Sequence, residues 1–177
     1  LMSVLSSQWF ELFGLPTQFE VDQSLLTQRF RALQTQYHPD RFAQQSDAAK
    51  RESVQVTSLL NEAYIGLKSP RLRARYLLEQ AGVFINDERD TISEKAFLIQ
   101  QVAWREALEE ASEAADPLAA LDQLDGENQA ATQATVGVLA QAWQQHDLVT
   151  AKQAVLKMRF YERLQDDIRR REEQFDA

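Results

Sequence analysis

Two helical stripes with a proline between them dominate this sequence. Leu26, Phe30, Leu33 and Tyr37 recur at i, i+4, i+7 and i+11, and so fall on one face of an α-helix. Val56, Leu60, Ala63 and Leu67 mark a second such stripe, with Leu59 and Tyr64 beside it. Pro39 stands in the interval 38–46 that separates them. A proline disfavours the α conformation at the residue before it and has no N–H to donate, so the first helix has to stop near Tyr37. Two long helices joined by so short a loop fold back on each other as an antiparallel hairpin.

The punctuation around the hairpin is also helical. Residues 8–13 read as a short helix stopped by Gly14 and Pro16. Asp22 is placed to cap the first long helix, and Ser46 or Asp47 the second, which runs to about Lys68. Ser69-Pro70 opens another helix with Leu72, Tyr76 and Leu77 turned inward, and Gly82 closes it. After a connector at 83–92, Thr91 and Glu94 form a capping-box pattern for a helix over roughly 92–112. Asp116-Pro117 starts the next helix, expected to break near Gly126 and resume through Trp143. The last helix spans about Leu148 to Glu173, with Val155, Met158, Leu164, Ile168 and either Tyr161 or Glu162 inward. No segment alternates as a strand would, and only five glycines and four prolines are present. The expected fold is all-α, with a helical hairpin plus short helices over 1–82 and an antiparallel three-helix bundle over 83–177.

Composition excludes several kinds of chemistry. With no cysteine there is no disulfide, thiolate metal site or cysteine nucleophile. His38 and His146 are the only histidines, far apart and without a second His one turn away, so neither a metal site nor a bound cofactor is expected. No apolar run approaches the roughly 18 residues that cross a bilayer, so no membrane contact is expected. Leu1 to Gln8 lack both a basic start and a long apolar stretch, so no signal peptide is expected. Met2 is read as the natural start, and the expected location is the bacterial cytoplasm. The first 82 residues carry nine basic and eight acidic side chains, and the remaining 95 carry ten and nineteen. The halves thus net +1 and −9 within an overall −8, which suggests surfaces for different partners. So acidic a second half also argues against nucleic acid, which needs Lys and Arg against its phosphates.

Within the hairpin loop, His38-Pro39-Asp40 carries the exposed chemistry. Pro39 ends the helix and stiffens the turn, Asp40 is a short carboxylate able to pair with a partner's arginine, and His38 offers one donor and one acceptor. Arg29 and Arg31 fall off the apolar face, toward solvent, and Arg41 follows the triplet. The same three residues also suit an ordinary helix stop, and the tripeptide occurs by chance in on the order of 1% of chains this long.

A second feature lies on the helix after the connector. Phe97, Trp104, Leu108 and Ala111 share one face, while Leu98, Ile99 and Val102 form an adjacent ridge that Glu106 and Glu110 continue. Two apolar ridges on one helix mean either a helix lodged between two neighbours or an exposed binding patch.

The wider pattern resembles a known family. Tyr37-His38-Pro39-Asp40-Arg41-Phe42, followed by Asn61-Glu62-Ala63-Tyr64 and Leu67, is similar to the signature of J-domains. Phe10-Glu11-Leu12-Phe13-Gly14-Leu15-Pro16, the stretch Ser69 to Leu78, and Lys157-Met158-Arg159-Phe160 resemble the HscB co-chaperones of iron–sulfur cluster assembly. The resemblance implies a J-domain over 1–82 and a scaffold-binding three-helix bundle over 83–177, in an L-shaped, mostly monomeric chain. It implies that His38, Pro39 and Asp40 trigger the ATPase of an HscA-like chaperone of the DnaK class, with Arg29, Arg31 and Arg41 as a basic face. It further implies that Leu98, Ile99, Val102, Glu106, Glu110 and Phe160 hold an IscU-like scaffold. Two positions depart from the family: Ala103 stands where an acid is usual, and Val102 is smaller than the usual Leu. The cysteine-rich amino terminus of some eukaryotic members is not expected here, in keeping with the expected bacterial origin.

Two other readings compete with this one. Catalysis by the chain itself is not expected, because its carboxylates scatter and no phosphate loop or Ser-His-Asp set accompanies them. The alternative is a general J-domain co-chaperone for misfolded clients, but the Gly/Phe-rich or cysteine-rich segments common after such J-domains do not occur here.

Overall fold

The computed structural model of the chain describes residues 2–176. Its helices are α1 (Met2–Leu5), α2 (Trp9–Leu12), α3 (Gln23–Gln36), a 3-10 turn (Pro39–Phe42), α4 (Asp47–Lys68), α5 (Pro70–Gln80), α6 (Lys95–Ala111), α7 (Pro117–Gln144) and α8 (Leu148–Asp176). No strand occurs among the described residues. No helix among them is long and apolar enough to cross a membrane. The chain divides into two compact units inside α5, after Leu77, five residues before the boundary suggested by Gly82.

The first unit is built on the α3–α4 hairpin. Asp22 caps α3 by accepting from the Leu25 N–H at 3.0 Å, and Ser46 caps α4 by accepting from the Ala49 N–H at 3.2 Å. Leu26, Val56, Leu60, Ala63 and Leu67 are fully buried between the helices and under α2. Phe30 stacks on Tyr64 with centroids 4.0 Å apart, and Trp9 on Tyr76 at 4.2 Å. Gly14, at φ +58°, turns the chain out of α2 in a left-handed conformation that a side chain would resist.

Arg73 is a charge in this core that the sequence pattern does not announce. It is only 5% exposed. Its Nε donates to the Phe19 carbonyl at 2.5 Å and its Nη1 to the Leu67 carbonyl at 2.6 Å. Burial lowers its pKa and Glu20 opposes the shift. The two carbonyl contacts are what make burying the guanidinium tolerable.

The second unit holds α6, α7 and α8, of which α7 and α8 form a long hairpin. Phe97, Trp104, Leu108, Leu121, Leu124, Tyr161, Leu164 and Ile168 fill its core, so Tyr161 rather than Glu162 is the inward residue of α8. His146, at φ +56°, makes the turn between α7 and α8. Asp147 then caps α8, accepting from the Thr150 N–H at 3.1 Å and hydroxyl at 2.6 Å, and these bonds hold its carboxyl below the usual range.

Two expectations fail in this unit. α7 runs unbroken through Gly126, where an added Cβ would meet nothing within 4 Å. A mid-helix glycine costs about 1 kcal/mol, less than α7 gains by burying Leu121, Leu124 and Leu139 on either side of it. The Thr91–Glu94 pattern is not a capping box: α6 begins at Lys95, and Glu94 takes the cap position without a side-chain cap bond. The Glu94 carboxylate pairs instead with Lys157 of α8.

Candidate functional sites

The hairpin loop of the first unit is a small, ordered platform. The N–H of Tyr37 closes α3 on the Leu33 carbonyl at 2.9 Å, and the Thr57 hydroxyl of α4 donates to the Tyr37 carbonyl at 3.3 Å. His38 leaves the helix at φ −58° and ψ 133°, as the residue before a proline must. The 3-10 turn comes next, with the Arg41 N–H on the His38 carbonyl at 3.0 Å and the Asp40 N–H on His38 Nδ1 at 3.2 Å. The Asp40 side chain is 93% exposed, 3.6 Å from His38 Nδ1. The triplet therefore presents a solvated carboxylate and an imidazole on a backbone fixed from both sides.

The three arginines do not behave alike. Arg31 and Arg41 are exposed. Arg29 is partly buried, contrary to its expected place in solvent. Its Nη1 donates to the carbonyls of Phe13 and Gly14, at 2.6 Å each. The chain leaves α2 through the Gly14 turn, and the guanidinium of Arg29 takes up two carbonyls there that no helix bond uses. Arg29 is a strap between α3 and the end of α2.

In the second unit, the two ridges of α6 separate cleanly. Phe97, Trp104, Leu108 and Ala111 are buried in the bundle, whereas Leu98, Ile99 and Val102 are 43%, 60% and 57% exposed. Glu106 and Glu110 are exposed beside them, as is Ala103. The second ridge is thus exposed, not lodged against a neighbouring helix. Phe160, expected as a contact residue, is largely buried. It is 7% exposed, edge-on to Phe97 at 5.6 Å and to Tyr161 at 5.9 Å, with the Arg105 guanidinium over its ring at 5.8 Å. Its place in the aromatic cluster makes it a support under the ridge, with little surface of its own to offer.

The connector is tied to α8 near this patch, a feature that no local sequence signal announces. Asn86 Oδ1 accepts the N–H groups of Glu88 and Arg89 at 3.0 and 3.1 Å. Asp90 accepts the Asn86 N–H at 2.6 Å and pairs with Lys152 at 3.2 Å; the backbone bond, then the lysine, keeps its carboxyl below the usual range. Arg159 donates to the Asp87 carbonyl at 3.0 Å and pairs with its carboxylate at 3.2 Å.

Similarity to known proteins extends over both parts of the chain. Residues 93–169 match the family model described as the HSCB C-terminal oligomerisation domain. A co-chaperone protein HscB homolog of Photobacterium profundum is 40% identical, over 94% of this chain and 97% of the relative. One from Bordetella petrii is 41% identical, over 90% and 92%. Among solved structures, the chaperone HscB from Vibrio cholerae superposes with a TM-score of 0.87 at 39% identity, covering 95% of this chain and 99% of that one. Human co-chaperone protein HscB gives 0.87 at 29% identity, over 94% and 83%.

Proposed function

The chain belongs to the HscB family of co-chaperones, and on that footing we propose that it is a bipartite adaptor in iron–sulfur cluster assembly. The first unit engages an HscA-like chaperone of the DnaK class through His38, Pro39 and Asp40, flanked by Arg31 and Arg41, and stimulates its ATP hydrolysis. The second unit holds an IscU-like scaffold on Leu98, Ile99 and Val102, with Glu106 and Glu110 at the rim and Phe160 beneath. The adaptor acts in the bacterial cytoplasm, mostly as a monomer, without a catalytic activity or cofactor of its own.

The observation that carries this reading is the pairing of two unlike exposed features in separate compact units. One is a 93% exposed carboxylate on a rigid turn, and the other is an apolar ridge about half exposed along its length. A protein without partners has little reason to keep an apolar ridge in water. An apolar centre with a charged rim is the anatomy of a specific interface.

Reconstitution tests the proposal. The purified chain should accelerate ATP hydrolysis by the DnaK-class chaperone of its own organism, and more so with the scaffold present. His38→Gln should abolish that stimulation and leave scaffold binding, read by calorimetry, intact. Loss of both together would mean unfolding and undo the two-site assignment. Stimulation with no scaffold binding would favour a general co-chaperone for misfolded clients.

A further inference from the structure

The exposed ridge of α6 has a second charged flank, opposite in sign to Glu106 and Glu110. Between α6, α8 and the connector lies a cleft of about 280 Å³, with Phe97, Leu98, Leu156 and Phe160 among its apolar walls and Arg105 and Arg163 among its charged ones. Arg105 is at i+7 from Leu98, so the two side chains follow each other along one edge of α6. Glu106 follows Ile99 at the same i+7 spacing, and Glu110 lies one turn further on, along the other edge.

Only some of the charges around this cleft are neutralised within the protein. Its two acids are already engaged, Asp87 by Arg159 of the same cleft at 3.2 Å and Asp90 by Lys152 at 3.2 Å. Arg105 lies over the Phe160 ring, and neither it nor Arg163 has an ion-pair partner among the described residues. Both are exposed. In a half of the chain with nineteen acids against ten bases, two unpaired guanidiniums at the mouth of one apolar cleft are out of keeping with their surroundings.

The geometry points to a carboxylate-receiving subsite: the protein docked on the ridge places an Asp or Glu side chain between Arg105 and Arg163, next to the apolar group that covers Leu98. This rests on the proposed scaffold-binding role of the ridge and adds its orientation. Guanidinium forks match carboxylate geometry, and pairs at an interface fix register more than they add affinity. With Arg105 and Arg163 along one edge and Glu106 and Glu110 along the other, the partner can lie across α6 in one direction only.

Charge reversal decides it, with the IscU-type scaffold of the same organism as probe and calorimetry as readout. Arg105→Glu with Arg163→Glu should weaken binding at least tenfold at low salt, and Arg105→Gln with Arg163→Gln by less. Arg169→Glu, outside the cleft, should leave affinity unchanged. One Asp or Glu of the scaffold changed to Lys should restore binding to the double Glu variant. If Leu98→Ala weakens binding while the arginine variants and the rescue do nothing, the subsite is wrong and the ridge stands. If Leu98→Ala is also without effect, the ridge reading itself falls, and the subsite with it. Retained far-UV circular dichroism separates either result from unfolding.

Discussion

His38 Nδ1 accepts the backbone N–H of Asp40 at 3.2 Å. A nitrogen that accepts has its lone pair free, so the proton of the neutral ring sits on Nε2. The imidazole thus has one nitrogen folding its own turn and the other left to a partner. Asparagine separates these roles. Its side-chain carbonyl can cap the same N–H in an Asx turn but has nothing at the reach of Nε2. His38→Asn should change unfolding stability by no more than about 0.5 kcal/mol and lose ATPase stimulation. Full stimulation by the asparagine variant would show that the outer nitrogen does nothing.

Arg29 makes a different prediction from its neighbour. Its two bonds to the Phe13 and Gly14 carbonyls are charge-assisted and partly shielded from water. Arg29→Ala should therefore destabilise the first unit by about 1–3 kcal/mol in chemical denaturation. Well below its midpoint the variant should still stimulate the chaperone. Arg31→Ala, exposed and off the core, should do the reverse: unchanged stability and weaker stimulation. Equal stabilities for the two variants would rule out the strap.

Leu98 and Phe160 separate along the same lines in the bundle. Phe160→Ala empties a buried aromatic cluster and should cost about 3–5 kcal/mol of stability. Leu98→Ala trims a side chain that is 43% exposed and should cost under about 1 kcal/mol. Scaffold affinity should fall by about 1–3 kcal/mol for Leu98→Ala. Denaturation and calorimetry on the same two proteins check the split, and an unchanged affinity for Leu98→Ala would empty the ridge of its role.

How much of the fold was legible in the sequence depends on how local each signal is. The α3–α4 hairpin could be read because stripe, cap and proline stop all lie within a few residues of one another. The double ridge on α6 was equally plain, although whether the second ridge faced a neighbour or water depended on chain far away. Gly126 misled because a single propensity of about 1 kcal/mol is weighed against burial along the whole of α7. Thr91 and Glu94 have the spacing of a capping box, but Asn86, Asp87 and Asp90 draw the connector into its own turn and onto α8 before a helix can start. Arg29, Arg73 and Phe160 were misplaced or unremarked because burial of a side chain is a tertiary fact. The Arg105–Arg163 cleft joins residues on two helices and left no trace in any window of sequence.

Gly66 of α4 gives the sharpest test of how the first unit is packed. In the sequence it is a weak point, since a glycine inside a helix costs about 1 kcal/mol relative to alanine. In the fold it is buried, and a Cβ there would run into the Trp9 ring, with Cη2 at 2.7 Å. Trp9 has little room to yield, because it is stacked on Tyr76 at 4.2 Å and its backbone N–H is bonded to the Tyr76 hydroxyl at 3.2 Å. Overpacking of that kind costs about 1–3 kcal/mol and outweighs the helix propensity gained. Gly66→Ala should therefore destabilise the protein by about 1–2 kcal/mol, the difference between those two magnitudes toward its upper end. In a Trp9→Ala background the obstacle is gone and only the propensity remains, so the same substitution should become stabilising. Thermal or urea denaturation of the four proteins gives the coupling directly. A Gly66→Ala effect of the same sign and size in both backgrounds would mean that the glycine is not the seat of the indole.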